Sequence, residues 1–132
     1  MKYLLDAPAI YKMAEMNKLD LITDSITIDL AKYELGNAVL KDCTIHKRID
    51  SEQAEELVNF LYKILDTIDK ISVTDGISVM KTALDFKLSF YDAAYVQCSK
   101  ATNLTLVTED GKLEKKISEY IKVSSVERLP EA

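Results

Sequence analysis

Short apolar runs alternate with longer amphipathic segments along the chain. Each run has the length of a typical strand and is flanked by polar residues. The runs that predict strands are "KYLL" (2–5), "LDLIT" (19–23), "KISV" (70–73), the run at 104–107 and "IKVSSV" (121–126).

Apolar residues recur at helical spacing between these runs. The predicted helices cover residues 7–16, about 28–41, a segment from near 50, a segment from 74 or 75, 89–101 and 112–120. Pro8 fits the first turn of its helix. Asp50 with Gln53 has the spacing of a capping box, as does Ser89 with Asp92.

Alternation of strands and helices predicts an α/β fold with a mostly parallel sheet covered by helices on both faces. The helix-rich middle of the chain leaves room for a small central sheet of about four or five strands. We expect a three-layer sandwich, and a chain of 132 residues suits one domain over 1–132.

Charge and composition narrow the functional classes. The net charge of −5 disfavours nucleic-acid binding by bulk electrostatics, but it still permits phosphate binding through metal ions. Three glycines provide neither common phosphate-binding loop. His46 is the single histidine, which excludes a Ser–His–Asp triad and a two-histidine zinc site, and pairing it with Cys43 leaves too few zinc ligands.

The first residues do not have a signal-peptide pattern, because Asp6 interrupts a short apolar run. No apolar run approaches membrane-spanning length. Cys43 and Cys98 lie far apart and are interpreted as free thiols. We therefore expect a cytoplasmic protein with no membrane association.

Four carboxylates stand at positions that favour a site. Asp6 ends the first predicted strand, and Asp110 follows the strand at 104–107. Binding sites of open parallel sheets form beyond the carboxyl ends of the strands, so neighbouring strands would bring both into one crevice. Glu34 borders an apolar helical stripe, and Asp92 lies in the first turn of a helix within an apolar stretch.

Each carboxylate also has a structural interpretation. Asp6, Asp92 and Asp110 can act as helix caps, and Glu34 can pair with Lys41 or reach solvent. Taken together, clustered carboxylates repel one another by about 4 kcal/mol per close pair and need a compensating proton or cation. Oxygen-only ligands favour Mg²⁺ or Mn²⁺ over zinc.

The motifs "LLDAPAIYK", "YELGNAVLK", "LSFYDAAYV" and "LVTEDGKL" resemble, in order and separation, those of PIN domains, and more narrowly VapC-type toxins. The resemblance covers nearly the whole chain. It implies a Mg²⁺- or Mn²⁺-dependent endoribonuclease, with an RNA substrate, a cognate antitoxin and a homodimeric assembly. It departs from the family at Pro8, where Ser, Thr or Asn is frequent, so one polar contact near Asp6 is missing.

The resemblance implies that four residues correspond to the acidic quartet of the family and act as catalytic residues and metal ligands. They are Asp6, Glu34, Asp92 and Asp110. Thr108 matches the hydroxyl residue of the T-x-D segment, and Asn37 a polar partner after the glutamate. Whether Glu34 acts as general base or orients water stays open.

Candidates for RNA contact lie near these motifs. They are Lys12, Lys41, Lys87 and Lys112 for phosphates, and Tyr91 and Tyr95 for base stacking. Two other functions remain open: a catalytically silent PIN-like binding module, and a Mg²⁺-binding domain like a phospho-receiver. The latter would need a second acidic residue beside Asp6, which "YLLDAP" lacks.

Overall fold

The computed structural model describes residues 3–130. Lys2, the first residue of the predicted strand "KYLL", lies outside this range. Five strands form one sheet in the order β3-β2-β1-β4-β5, and every neighbouring pair is parallel. The strands are β1 (Tyr3–Leu5), β2 (Ser25–Ile28), β3 (Asp69–Ile71), β4 (Thr105–Val107) and β5 (Val123–Ser124).

Seven helices are seen in the described part of the chain. Each is too short or too polar to cross a membrane. They are α1 (Ala7–Glu15), α2 (Leu19–Thr23), α3 (Ala31–Thr44), α4 (Ser51–Leu65), α5 (Gly76–Phe86), α6 (Phe90–Thr102) and α7 (Gly111–Ile117).

The predicted α/β class with a small parallel sheet between helices is confirmed. Asp50 and Gln53 form the predicted capping box of α4, with both reciprocal hydrogen bonds present. At α6 the Ser89 hydroxyl accepts a hydrogen bond from the Asp92 backbone at 3.0 Å, which is the first half of the predicted box.

The predicted strand at 19–23 is wrong, because this segment forms α2. The strand β2 begins only at Ser25, and all four of its residues are buried, whereas Ile22 is the buried residue of α2. A parallel strand covered on both faces must be buried continuously. The predicted helix start at residue 28 is wrong for the same reason, since Ile28 still belongs to β2 and α3 begins at Ala31.

Two apolar clusters lie on opposite faces of the sheet. Leu5 and Val107 face the cluster formed with α1 to α4, and their strand neighbours Leu4 and Leu106 face the cluster formed with α5 to α7. This alternation follows from the two-residue period of strands. The result is a three-layer sandwich.

The strand order defines where a site can form. The chain runs from β1 to β2 and β3 on one side of the sheet, and then crosses over to β4 and β5 on the other side of β1. Ligands of open parallel sheets bind at such a switch point, beyond the carboxyl ends of the strands. A phospho-receiver has the order β2-β1-β3-β4-β5, so that interpretation is wrong.

We expect Leu4→Ala to lower the free energy of unfolding by about 2–5 kcal/mol. Leu4 is fully buried in the central strand, and truncation leaves a cavity between the sheet and α6. Urea titration measures the loss. Leu40→Ala is the control, because Leu40 is 55% exposed on α3 and the change should stay within about 0.5 kcal/mol. Equal losses in both variants would contradict this assignment of the core.

Candidate functional site

Asp6 lies where β1 ends and α1 begins. Its backbone N–H donates to the Val107 carbonyl at 3.2 Å, which continues the β1–β4 pairing. Its side chain caps α1, with Oδ1 accepting from the Ala9 N–H at 2.9 Å. Asp6 is 7% exposed, so its carboxylate is held in a fixed place near the middle of the sheet.

Thr108 connects Asp6 to Asp110. The buried Thr108 hydroxyl hydrogen-bonds the Asp6 carboxylate, and it accepts the Asp110 backbone N–H at 3.2 Å. Asp110 in turn caps α7, because its Oδ1 accepts from the backbone of Lys112 at 3.0 Å and of Leu113 at 3.1 Å. The segment after β4 therefore fixes Asp110 near Asp6 while it starts a helix.

Glu34 reaches the same region from α3. Its Oε1 accepts a hydrogen bond from the Tyr95 hydroxyl of α6 at 2.6 Å. Tyr95 is 3% exposed, so the predicted stacking of this tyrosine on a base is wrong. The ring belongs to the apolar cluster beneath α5 to α7.

Asp92 completes the group from the first turn of α6. It is half-buried, and the charge of Asp110 raises its pKa, second in effect to desolvation. The Lys116 ammonium of α7 acts in the opposite direction. Lys116 was missed by sequence analysis, since no local pattern separates it from the other lysines of α7.

The carboxylates influence each other's protonation. Burial raises the pKa of Asp6 to about 7, and the charges of Glu34 and Asp92 add to this rise. Burial also raises the pKa of Glu34, with Asp92 contributing and the Tyr95 hydrogen bond opposing. All four predicted acidic residues are thus linked electrostatically at the carboxyl end of β1 and β4.

Glu109 connects the segment after β4 to α1 and to the segment after β5. Its Oε1 pairs with the Lys12 ammonium at 2.8 Å, and its Oε2 accepts the Val126 N–H at 3.2 Å. Lys12 also pairs with Glu127 at 2.9 Å. Lys12 is therefore engaged in ion pairs, contrary to its predicted availability for phosphate contact.

The other predicted residues are more peripheral. Asn37 is exposed on α3, one turn after Glu34, and Pro8 is exposed in the first turn of α1. Lys87 ends α5, where its carbonyl accepts the Lys116 ammonium at 3.0 Å. Tyr91 is 60% exposed and stays a candidate for stacking.

The donor chemistry fits a hard divalent cation, because carboxylate and hydroxyl oxygens are the groups Mg²⁺ prefers. Within residues 3–130, no three or more histidine, cysteine, aspartate or glutamate side chains already converge around one point for a metal ion. The carboxylates are close enough to shift each other's pKa, yet not drawn together into a coordination shell.

We expect the metal-free protein to lose stability as the pH rises between the unfolded and folded pKa values of Asp6, 3.8 and about 7. A raised pKa means that the folded state binds this proton more tightly than the unfolded chain, so deprotonation favours unfolding. The loss is at most about 4 kcal/mol for this group. Asp6→Asn should flatten the profile, since asparagine still caps a helix.

Urea unfolding across this pH range, in the presence of a chelator, measures the effect. Asp50→Asn is the control, because it makes the same change at the exposed cap of α4 and should keep the slope of the parent. A parent whose stability is flat or rises through this range would contradict the assignment.

Comparisons with known proteins agree with this fold. No family model matches the sequence. The chain is similar to Exonuclease VapC9 of Pyrobaculum aerophilum, with 31% identity over 127 residues that cover 95% of this chain and 92% of that protein. The crystal structure of PAE2754 from Pyrobaculum aerophilum superposes with a TM-score of 0.80 at 28% identity, covering 96% of this chain and 92% of that one.

A more distant structure shares the fold alone. VapBC-1 from nontypeable Haemophilus influenzae superposes with a TM-score of 0.62 at 14% identity, covering 97% of this chain and 100% of that one. The identity to Exonuclease VapC9, which extends over almost the full length of both proteins, is the decisive comparison. The chain therefore belongs to the VapC family of PIN-domain proteins.

Proposed function

We propose that this protein is a metal-dependent ribonuclease that hydrolyses RNA phosphodiester bonds and acts as the toxin of a toxin–antitoxin pair. The main support is the burial of Asp6 beside Glu34 and Asp92 at the switch point of the sheet. A buried acid among other acids is costly for folding alone, and such groups concentrate at functional sites. The relationship to a protein named Exonuclease VapC9 adds nuclease chemistry to this support.

Asp6 and Asp92 are the proposed direct ligands of Mg²⁺ or Mn²⁺, with Glu34 and Asp110 as further ligands. The bound ion would lower the pKa of a water molecule and offset charge on the scissile phosphate. The protein holds Asp6 through Thr108 and the cap of α1, and it holds Asp110 through the cap of α7. These restraints keep two carboxylates in place before any cation or substrate arrives.

Glu34 is the proposed group that orients the attacking water or accepts its proton. Its raised pKa brings it closer to the range where a carboxylate acts as a general base near neutral pH. Lys116 lies close enough to Asp92 to oppose the rise of the Asp92 pKa, so we propose that its ammonium also attracts an RNA phosphate.

A cognate antitoxin is the proposed protein partner, and we expect it to cover the acidic groove. Membership of the VapC family supports this partner. The cytoplasmic location stays a prediction. Binding of RNA without cleavage would favour the alternative of a catalytically silent PIN-like module.

We expect cleavage of a circular RNA in the presence of Mg²⁺ or Mn²⁺, none with excess chelator, and recovery when the metal is restored. Circular RNA has no ends, so its cleavage requires endonuclease activity, and gel electrophoresis of the products measures it. Cleavage of linear RNA alone, releasing nucleotides from one end, would make the enzyme an exonuclease instead.

Asp92→Asn should lower the cleavage rate on the order of 100-fold or more, because it removes a ligand at the reacting centre. Asp66→Asn is the matched control, since it makes the same change at the exposed end of α4. Undiminished, metal-independent cleavage by Asp92→Asn would overturn the proposed site.

A second copy of this chain is the proposed oligomeric partner, and α5 offers a surface for it. Ile77 and Leu84 are each 72% exposed and Met80 is 48% exposed, and their spacing places them on one side of the helix. Exposed apolar residues grouped in this way mark interaction surfaces.

We expect the parent to sediment at twice the mass of one chain and Leu84→Lys to sediment largely as a single chain. A lysine at this position would bury an unpaired charge in the contact. Analytical ultracentrifugation over a range of concentrations measures the change. Met16→Lys is the control, because Met16 is 40% exposed at the end of α1, away from α5. A monomeric parent would contradict the proposed homodimer.

A further inference from the structure

Tyr95 connects the two helical layers at the acidic site. Its ring belongs to the apolar cluster on the face of α5 to α7, whereas Glu34 lies on α3, whose buried side chains Leu35 and Val39 belong to the opposite cluster. The 2.6 Å hydrogen bond from the Tyr95 hydroxyl to Glu34 Oε1 therefore crosses from one layer to the other. It does so beyond the carboxyl ends of the central strands.

A buried residue of the sheet, Thr27, lies beside Tyr95. Thr27, which is fully buried in β2, lies close enough to the Tyr95 hydroxyl to oppose the rise of its pKa, and the Thr27 hydroxyl donates to the Leu5 carbonyl at 2.6 Å. Leu5 is the residue that immediately precedes Asp6. The Tyr95 hydroxyl therefore lies beside the strand that leads to Asp6, and the buried ring cannot move away without opening the core.

Glu34 needs such a restraint. Its carboxylate is half-buried and is repelled by Asp92, and a glutamate side chain has three rotatable bonds that allow it to turn toward solvent. In the part of the chain that the structure describes, Tyr95 is the one hydrogen-bond donor seen on this carboxylate. Oε1 accepts that bond, whereas no donor to Oε2 is seen among the described residues, so Oε2 is the oxygen more open to a cation or water.

We propose that Tyr95 is a positioning residue of the acidic site, which acts by holding Glu34 so that a single carboxylate oxygen is presented to the bound metal. This inference rests on the proposed function, because it assigns Tyr95 a role in metal binding at the same site. It distinguishes Tyr95 from a core tyrosine that only packs. Partners that orient ligands in this way typically change metal affinity by about 10- to 100-fold when removed.

The test compares Tyr95→Phe with Tyr62→Phe. Both variants lose only a hydroxyl that hydrogen-bonds α3, since the Tyr62 hydroxyl donates to the Lys32 carbonyl at 2.7 Å. Lys32 lies two residues before Glu34, but its carbonyl is not part of the acidic group. Tyr62→Phe therefore reports what a purely structural tether of α3 contributes.

Two quantities are measured for the parent and both variants: the midpoint of thermal unfolding with excess chelator, and the apparent dissociation constant for Mn²⁺ alone from calorimetric titration. We expect Tyr95→Phe to weaken Mn²⁺ binding about 10- to 100-fold and Tyr62→Phe to leave it unchanged. Equal Mn²⁺ affinity in Tyr95→Phe and the parent overturns the inference, whatever happens to the unfolding midpoint. A parent that does not bind Mn²⁺ overturns the proposed metal-dependent function as well.

A double variant separates the two effects if Tyr95→Phe also destabilises the fold. In a Glu34→Gln background, adding Tyr95→Phe should change Mn²⁺ affinity by less than about twofold, because Tyr95 acts through the Glu34 carboxylate. A further loss as large as the one seen in the parent would overturn the inference, since it would mean that Tyr95 acts independently of Glu34.

Discussion

The parallel pairing of β1 with β4 determines where the acidic side chains can lie. It sets Leu5 opposite Val107, so Asp6 and Thr108 leave the sheet side by side at its switch point. α3 and α6 lie in opposite helical layers, and they bring Glu34 and Asp92 to the carboxyl ends of the same strands. Without this one strand pairing, Asp6 and Asp110 would simply be two unrelated helix caps.

The same carboxylates serve the fold and the site. Asp6 caps α1 and Asp110 caps α7, and the N-terminus of a helix carries partial positive charge that favours a nearby anion. This offsets part of the repulsion among the acids in the metal-free protein. The pKa of Asp6 is nevertheless raised, because desolvation by burial, with smaller contributions from the charges of Glu34 and Asp92, outweighs the favourable hydrogen bonds.

Local patterns predicted those parts of the molecule that local forces determine. Strand ends followed by helix caps located Asp6 and Asp110, and the capping box located the start of α4. The segment at 19–23 was misassigned, because short apolar runs do not distinguish a strand from a helical turn, and burial on both faces decided in favour of Ser25–Ile28. The bond from Tyr95 to Glu34 joins residues 61 positions apart and leaves no local signal.

The order of the strands also bears on how the protein folds. Within residues 3–130, β1 is the first strand, yet one of its two neighbours, β4, follows six of the seven helices. Closing a long loop costs conformational entropy, so we expect the β1–β4 contact to form late in folding. The acidic residues converge only when this loop closes, and their repulsion would then oppose the closing step itself. A divalent cation that binds during closure would accelerate folding, whereas one that binds only afterwards would slow unfolding alone.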